Sequence, residues 1–331
     1  MTRRDLLPLA ALVAVLALVP LAGPSNTLLN FLVSVLIVAL TAQGWNLLGG
    51  FGGQFSFGHA AFFGSGAYAT ALLQIRFGVN AWLACALGIA AGGAVGRIIG
   101  VLAFRARLRG SYFALVTLAF AEVLRILANA SDFTGGAAGL LIRLDVRAAN
   151  FQFASRAAFY WIALAAVAAT LLLSRAIERG RFGAQLVAVR ENEDAARALG
   201  VDALAVKLRA ITLSAAVTAA AGCLYAQYFL YIDANIAYGS WISIEALLAA
   251  IIGGIGTVPG PLIGALALHG LGELTKGFAG GITGVDLVLF GLLLVAAIGL
   301  APLGIVGSLH RLRVARRAAA QQAEAQRAEA R

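Results

Sequence analysis

Charge is scarce in this chain. Asp, Glu, Lys and Arg make up 12% of its 331 residues, about half the share of an ordinary soluble domain. Cysteine is scarcer: only Cys85 and Cys223 occur, each inside an apolar run. That excludes a disulfide framework and a thiolate metal site, and both read as small core hydrophobes. No GxxxxGK followed by Ser or Thr occurs, so the chain has no P-loop. There is no GxSxG elbow, and no His, Cys or carboxylate cluster has metal-ligand spacing. The sequence therefore offers no catalytic constellation and implies no cofactor. Segments of about ten alternating residues, the mark of a transmembrane barrel, are also missing.

What is abundant is apolar sequence. Hydrophobic residues make up 61% of the chain, and the mean hydropathy is +0.90. Runs near twenty apolar residues recur, which is the signal of membrane-spanning helices. Only helices or closed barrels satisfy the backbone inside lipid. The expected fold is thus all-α, a polytopic transmembrane helical bundle with broken helices. About ten spans are expected, at 6–23, 28–48, 58–75, 81–104, 112–130, 157–174, 209–230, 242–256, 261–278 and 284–306. Gly, Pro and Thr divide the eighth from the ninth, which together can form a broken hairpin. The transmembrane body would fill 1–308, with loops at 131–156 and 175–208 and a tail at 309–331. The tail, rich in Ala, Gln, Glu and Arg, reads as a surface helix or a solvated terminus.

The formal net charge of +10 does not point to nucleic acid, because the basic residues are not pooled in one soluble module. They follow the positive-inside rule. With the N-terminus inside, eighteen of the 25 Lys and Arg residues face the cytoplasm and four face outward. The remaining three, Arg97, Arg125 and Lys276, fall within spans. Both ends are then cytoplasmic. The start, Arg3 and Arg4 followed by an apolar run, mimics a signal peptide but lacks a clear cleavage site. It is read as an uncleaved first span.

Four stretches carry the functional signal. Gly180 to Lys207 is the longest strongly charged segment between two apolar stretches, and it must sit in water. Its task is expected to be docking. Gly49 to Tyr68 is dense in glycine, but no strand precedes it, so a dinucleotide fingerprint is excluded. It is either a discontinuous helix near a permeation route, whose free ends could solvate a zwitterion, or tight packing alone. Gln54 and His59 lie in it. His59 has no second ligand at i+3 or i+4, so bonding to a neighbouring backbone is favoured over metal binding. Leu108 to Leu140 holds Glu122 and Arg125 on one helix face. They form either an ion pair that fixes helix register, the slightly favoured reading, or a charge pair at the route. Ile251 to Leu274 contains Gly253, Gly254, Gly256, Pro259, Gly260 and Pro261, which cannot continue one regular helix. His269 and Glu273 in it are spaced to pair at i, i+4. Structure is favoured over function for this stretch, with Gly254 and the nearby Glu245 kept as candidates for the pathway.

Taken in order, GHAAFFGSGAY at Gly58, LRGSYFALVTLAFAE at Leu108, RENEDAARALGVDALAVK at Arg190 and GGIGTVPGPLIGA at Gly253 resemble a known family. It comprises the LivM-type permease subunits of bacterial branched-chain amino-acid ABC importers. The resemblance runs from about residue 40 to 300. It implies an inner-membrane permease paired with a homologous LivH-like permease, two cytoplasmic ATPase subunits and a periplasmic solute-binding protein. The segment Gly180 to Lys207 would be the coupling segment, with Arg181, Arg190, Glu191, Glu193, Asp194, Arg197 and Gly200 at the contact. Ala195 to Gly200, AARALG, resembles the EAA-type loop of importers but lacks its Pro-containing end. Two departures fall on the outer face: Ala137 and Ala138 stand where an Asn-Gly pair is usual, and Asp233, Ala234 and Asn235 replace a Ser-Pro. They leave open urea, amides or aromatic acids as substrates beside branched-chain amino acids. A gradient-driven transporter using Glu122, His59 or Glu245 is the main rival reading. An embedded enzyme using His59 and Glu122 is a second.

Overall fold

The computed structural model describes residues 3–278, 288, 291, 292, 295, 299, 303–309 and 311. The expected tenth span and the tail lie largely outside the described residues. Helices α1 (Arg3–Leu18), α2 (Asn26–Trp45), α3 (His59–Phe77), α4 (Ala81–Arg105), α5 (Gly110–Ala130) and α6 (Arg156–Arg179) form the first part of the bundle. Two short helices follow, α7 (Arg181–Glu191) and α8 (Glu193–Ala198), then α9 (Ala203–Phe229), α10 (Ala234–Ala237), α11 (Ser240–Gly253) and α12 (Gly260–Phe278). Helices α2 and α4 start within two residues of the expected positions, α9 starts six residues before its expected 209, and Ser25, Asn80 and Asp202 cap the three with side-chain acceptors. Such caps take up backbone N–H groups that no helical carbonyl can reach.

Among the described residues six helices are long and apolar enough to cross a membrane, at 26–51, 81–105, 110–130, 156–179, 203–229 and 234–253. Leu7–Ala22 is apolar but shorter. Helix α3 is not one of the six, for a physical reason. Its residues from His59 to Tyr68 are all buried by protein, so lipid does not select their hydropathy, and Gly64, Ser65, Gly66 and Tyr68 are tolerated there.

Helices α3, α4 and α9 form the tightest part of the bundle. Lipid tails are as apolar as leucine, so helix association in a membrane relies on close contact rather than on the hydrophobic effect. Small residues make that contact possible. Gly88, Gly92, Gly96 and Gly100 recur every fourth residue along one face of α4. A Cβ on Gly92 or Gly96 would strike the methyl groups of Ala219 or Ala215 on α9. A Cβ on Gly222 of α9 would strike the Phe63 carbonyl of α3. The two cysteines sit in this region as free, buried thiols. Helix α2 lies between α9, α6 and the α11–α12 pair. Helix α1 rests on α6, where Tyr160 Oη donates to the Leu16 carbonyl at 2.8 Å and Trp161 Nε1 to that of Ala17 at 3.1 Å.

The expected broken hairpin is present as α11 and α12. The chain reverses at 254–259, and Gly254 takes φ 124°, a conformation strained for any residue with a Cβ. A Cβ on Gly264 would run into the Ala249 carbonyl, so the two helices touch backbone to backbone. One short sheet departs from the helical plan. Strand β1 (Leu140–Leu141) pairs antiparallel with β2 (Tyr231–Ile232). It fastens the loop at 131–156 to the end of α9.

Candidate functional site

The charged segment forms a bracket at one end of the bundle. Gly180 turns the chain out of α6 into α7, and Asn192 then breaks α7 from α8. The Asn192 side chain accepts from the N–H groups of Asp194 and Ala195, at 3.1 and 3.0 Å. Glu193 and Asp194 in the first turn suit the positive end of the helix. Gly200, at φ 84°, closes α8 and returns the chain to α9.

Two charged side chains of the bracket reach back to the bundle. Glu193 is only 10% exposed, and its carboxylate receives Lys207 Nζ at 2.8 Å, Arg197 Nη2 at 2.6 Å and Arg109 Nε at 3.4 Å. Lys207, 7% exposed, also lies 5.3 Å from the Phe104 ring. Burial opposes the Glu193 charge, but Lys207, Arg109 and Arg197 outweigh it and hold the carboxyl below its ordinary value. Glu193 thereby ties α8 to α9 and to the approach of α5. Arg190 turns the other way: its Nη1 donates to the Gly50 carbonyl at 3.1 Å while Nε and Nη2 bond Glu191. Arg181, Glu191, Asp194, Arg197 and Gly200 face solvent. So does Leu199, 85% exposed at the tip of α8. Sequence reasoning passed over Leu199 by attending to charge. The available signal was a large apolar residue set between the charges of α8 and the turn at Gly200.

Gly50 belongs to the helix break. After α2 the chain continues as a π-helix, Asn46–Phe51, and then runs without helix to His59. Wider helical turns of this kind often accompany functional sites. Asn46 reaches across to the second break: its Nδ2 donates to the Thr257 carbonyl at 2.9 Å and its Oδ1 accepts from Gly256 N at 2.8 Å. Arg190, the first break and the α11–α12 turn, with Gly254, are therefore one connected unit. Gln54 lies beside it, and its side-chain amide donates to the Gly52 carbonyl at 3.3 Å.

His59 is fully buried at the start of α3. Its Nε2 meets a hydroxyl, and the backbone groups of Gly44 and Ser56 also bear on the ring. Ser214 Oγ donates to the Gly44 carbonyl at 2.6 Å, so His59 Nε2, 3.0 Å away, donates to Ser214. The N–H groups at this helix start are also claimed within the protein: that of Phe57 by Thr117 of α5 and that of Ala60 by Ser243 of α11. The break thus stitches α3 to three neighbouring helices. No group of three His, Cys, Asp or Glu residues that could hold a metal occurs among the described residues.

Glu122 and Arg125 lie at the opposite end, where Glu122 is about 18 Å along α5 from its start. Arg125 grips Glu122 through Nε and Nη2 and reaches Asn235 Oδ1 of α10 at 2.6 Å. Asp233 caps α10 by accepting from Asn235 and Ile236 N–H groups at 2.8 and 2.9 Å. The two family departures meet here. Tyr231 Oη bonds the Ala138 carbonyl at 3.3 Å, and a Cβ on Gly139 would press on the Ile232 carbonyl.

Glu245 lies apart from both groups, about 13 Å along α11 from Gly254. Its Oε1 is 3.1 Å from His269 Nε2 of α12. His269 does not pair with Glu273, as the helical spacing suggested; Glu273 bonds Lys276 at 2.9 Å. Glu245 and His269 border a cavity of about 160 Å³ whose other walls include Ile37, Phe63, Tyr225 and Ile242.

A profile of the family described as branched-chain amino acid transport system, permease component, matches residues 27–298. The high-affinity branched-chain amino acid transport system permease protein LivM of Salmonella typhimurium is 29% identical over 267 residues, covering 73% of this chain and 62% of the relative. LivM of Escherichia coli is 30% identical over the same length, with the same coverage. LivH of Escherichia coli is 27% identical over 286 residues, 81% of this chain and 91% of the relative. The match therefore spans less than two thirds of the LivM relatives' own length. No solved structure gives a significant match.

Proposed function

The chain belongs to the branched-chain amino-acid transport permease family and is a multi-pass membrane protein, and from that premise we propose that it is the permease subunit of an ATP-driven importer in the bacterial inner membrane. It carries branched-chain or similar apolar amino acids and does not itself hydrolyse ATP. A homologous LivH-like permease completes the route. Two cytoplasmic ATPases drive it, and a periplasmic binding protein delivers the solute. The chain crosses the bilayer about ten times, with both ends and the α7–α8 bracket in the cytoplasm, where most of the Lys and Arg lie.

One observation carries this reading. The bracket is braced to the bundle through Glu193 and Arg190 while its tip presents Leu199, flanked by Asp194 and Arg197, to solvent. An exposed apolar knob on a rigid arm suits a groove on a partner. ATP binding and hydrolysis there would bias the bundle between outward-open and inward-open states, and Arg190 would pass the movement to both helix breaks. The outer-face departures at Ala137, Ala138 and Asp233 to Asn235 lie where a binding protein would dock.

Liposomes containing the whole complex test the proposal. Uptake of labelled leucine should require ATP inside the vesicle and both ATPases. Uptake by the purified chain alone, driven by a proton or sodium gradient, would overturn it.

A further inference from the structure

The bundle holds two cavities that share walls. The outer one, about 330 Å³, is bordered by Arg156, Tyr228 and Gln227, and the inner one, about 160 Å³, by Glu245 and His269. Ser34 and Phe229 line both, so the two adjoin. Gln227 is 2% exposed, and neither its amide nitrogen nor its oxygen has a hydrogen-bond partner among the described residues. A buried amide without partners calls for an explanation. The inner cavity is apolar except at one end. There Glu245 and His269 line it, Glu245 being its one carboxylate among the described residues. A carboxylate offers about four acceptor positions, and although His269 Nε2 lies 3.1 Å from Glu245 Oε1, that nitrogen makes no well-aligned hydrogen bond among the described residues. An acid placed at membrane depth with that capacity open marks a pathway for charge.

We infer that the inner cavity is a transit site for an amino acid, in which Glu245 receives the ammonium group and the apolar wall receives the side chain. The inference rests on the importer reading and names the residue by which that route distinguishes its cargo. Size agrees with it. A cavity of about 150 Å³ takes up benzene, so 160 Å³ admits an aliphatic side chain. Charge agrees as well. The ammonium offsets the carboxylate in a low-dielectric wall, where either alone is costly. Gln227 supplies a donor and an acceptor on the approach from the outer cavity, so the zwitterion exchanges water for the amide before it meets Glu245. The Phe31 ring stands edge-on to His269, with centroids 6.2 Å apart, and helps fix the imidazole beside the acid.

The test uses the assembled complex in nanodiscs with photo-leucine, whose side chain carries a diazirine. Adducts, mapped by mass spectrometry, are expected on peptides holding Ile37 and Ile242. Leucine and isoamylamine, which both carry the ammonium, should suppress them, while isocaproate, which lacks it, should not. Glu245→Gln should lower the labelling at least tenfold and abolish competition by isoamylamine. Equal competition by isocaproate and isoamylamine in the unaltered complex would overturn the inference without need of any variant. So would adducts confined to lipid-facing or permease-partner surfaces. ATP-driven leucine uptake measured on the same preparation separates the two readings. Uptake without labelling in the cavity removes the transit site and leaves the importer, whereas loss of ATP dependence removes both.

Discussion

Replacing Glu193 with Ala would leave the Lys207 ammonium buried against Phe104 without its carboxylate. Removing one partner of a buried pair costs roughly 3–5 kcal/mol. Arg109 and Arg197, which keep about half of their side-chain surface, hydrate one side of the site. The loss therefore belongs at the lower end of that range, at about 3 kcal/mol. For a chain of this size it corresponds to a fall in Tm of roughly 4 °C, measurable by thermal unfolding of the detergent-solubilised protein. Lys207→Met should cost a similar amount, because Glu193 then loses its one buried cation. The double variant Glu193→Leu with Lys207→Met should recover most of the loss, since an apolar pair can replace a buried ion pair. A near-neutral Glu193→Ala, or a double variant worse than both singles, would refute the idea that this carboxylate braces the bracket.

The same carboxyl predicts an acid limit. Because its folded value is held below the ordinary 4.5, its contribution is complete above that pH and is lost as pH falls further through the folded value. The Tm difference between the parent and Glu193→Gln should shrink there. Arg190→Ala removes a charged hydrogen bond, about 1.5–3 kcal/mol, from the contact between bracket and helix break. Assembled complexes carrying it should keep their ATPase activity while ATP-driven uptake drops severalfold, and parallel losses of both would argue against a transmitting role. Gly222→Val places bulk against the Phe63 carbonyl and should abolish recovery of folded protein, as read by size-exclusion chromatography. Leu199→Glu should reduce co-purification of the ATPases with little change in Tm, and a matching drop in Tm would assign Leu199 to stability instead.

Helix positions were legible because lipid imposes a length and a hydropathy on each span. α3 was harder, since protein surrounds it, and its glycine density was the remaining sign. The α4 stripe Gly88, Gly92, Gly96, Gly100 was readable in principle from its four-residue spacing. The site chemistry was less legible. His269 looked like a partner of Glu273 because local spacing favours i, i+4 pairs, yet the hairpin turn brings Glu245 across instead. Arg190 looked like a contact for another subunit, and its reach to Gly50 spans a sequence separation no local pattern encodes. Glu193 was singled out for its charge, but its burial depended on Lys207 one helix later. Asn235 stood out as a departure from the family, and only the folded chain shows it holding Arg125.

The central claim is that the α7–α8 bracket faces the cytoplasm and is where ATPases hold the permease. With Cys85 and Cys223 both buried, a single Leu199→Cys substitution gives a clean reporter for an impermeant maleimide. The account predicts labelling in inside-out vesicles, none in sealed right-side-out ones, and protection once the ATPases are bound. Labelling of sealed right-side-out vesicles would place the bracket in the periplasm and contradict the account.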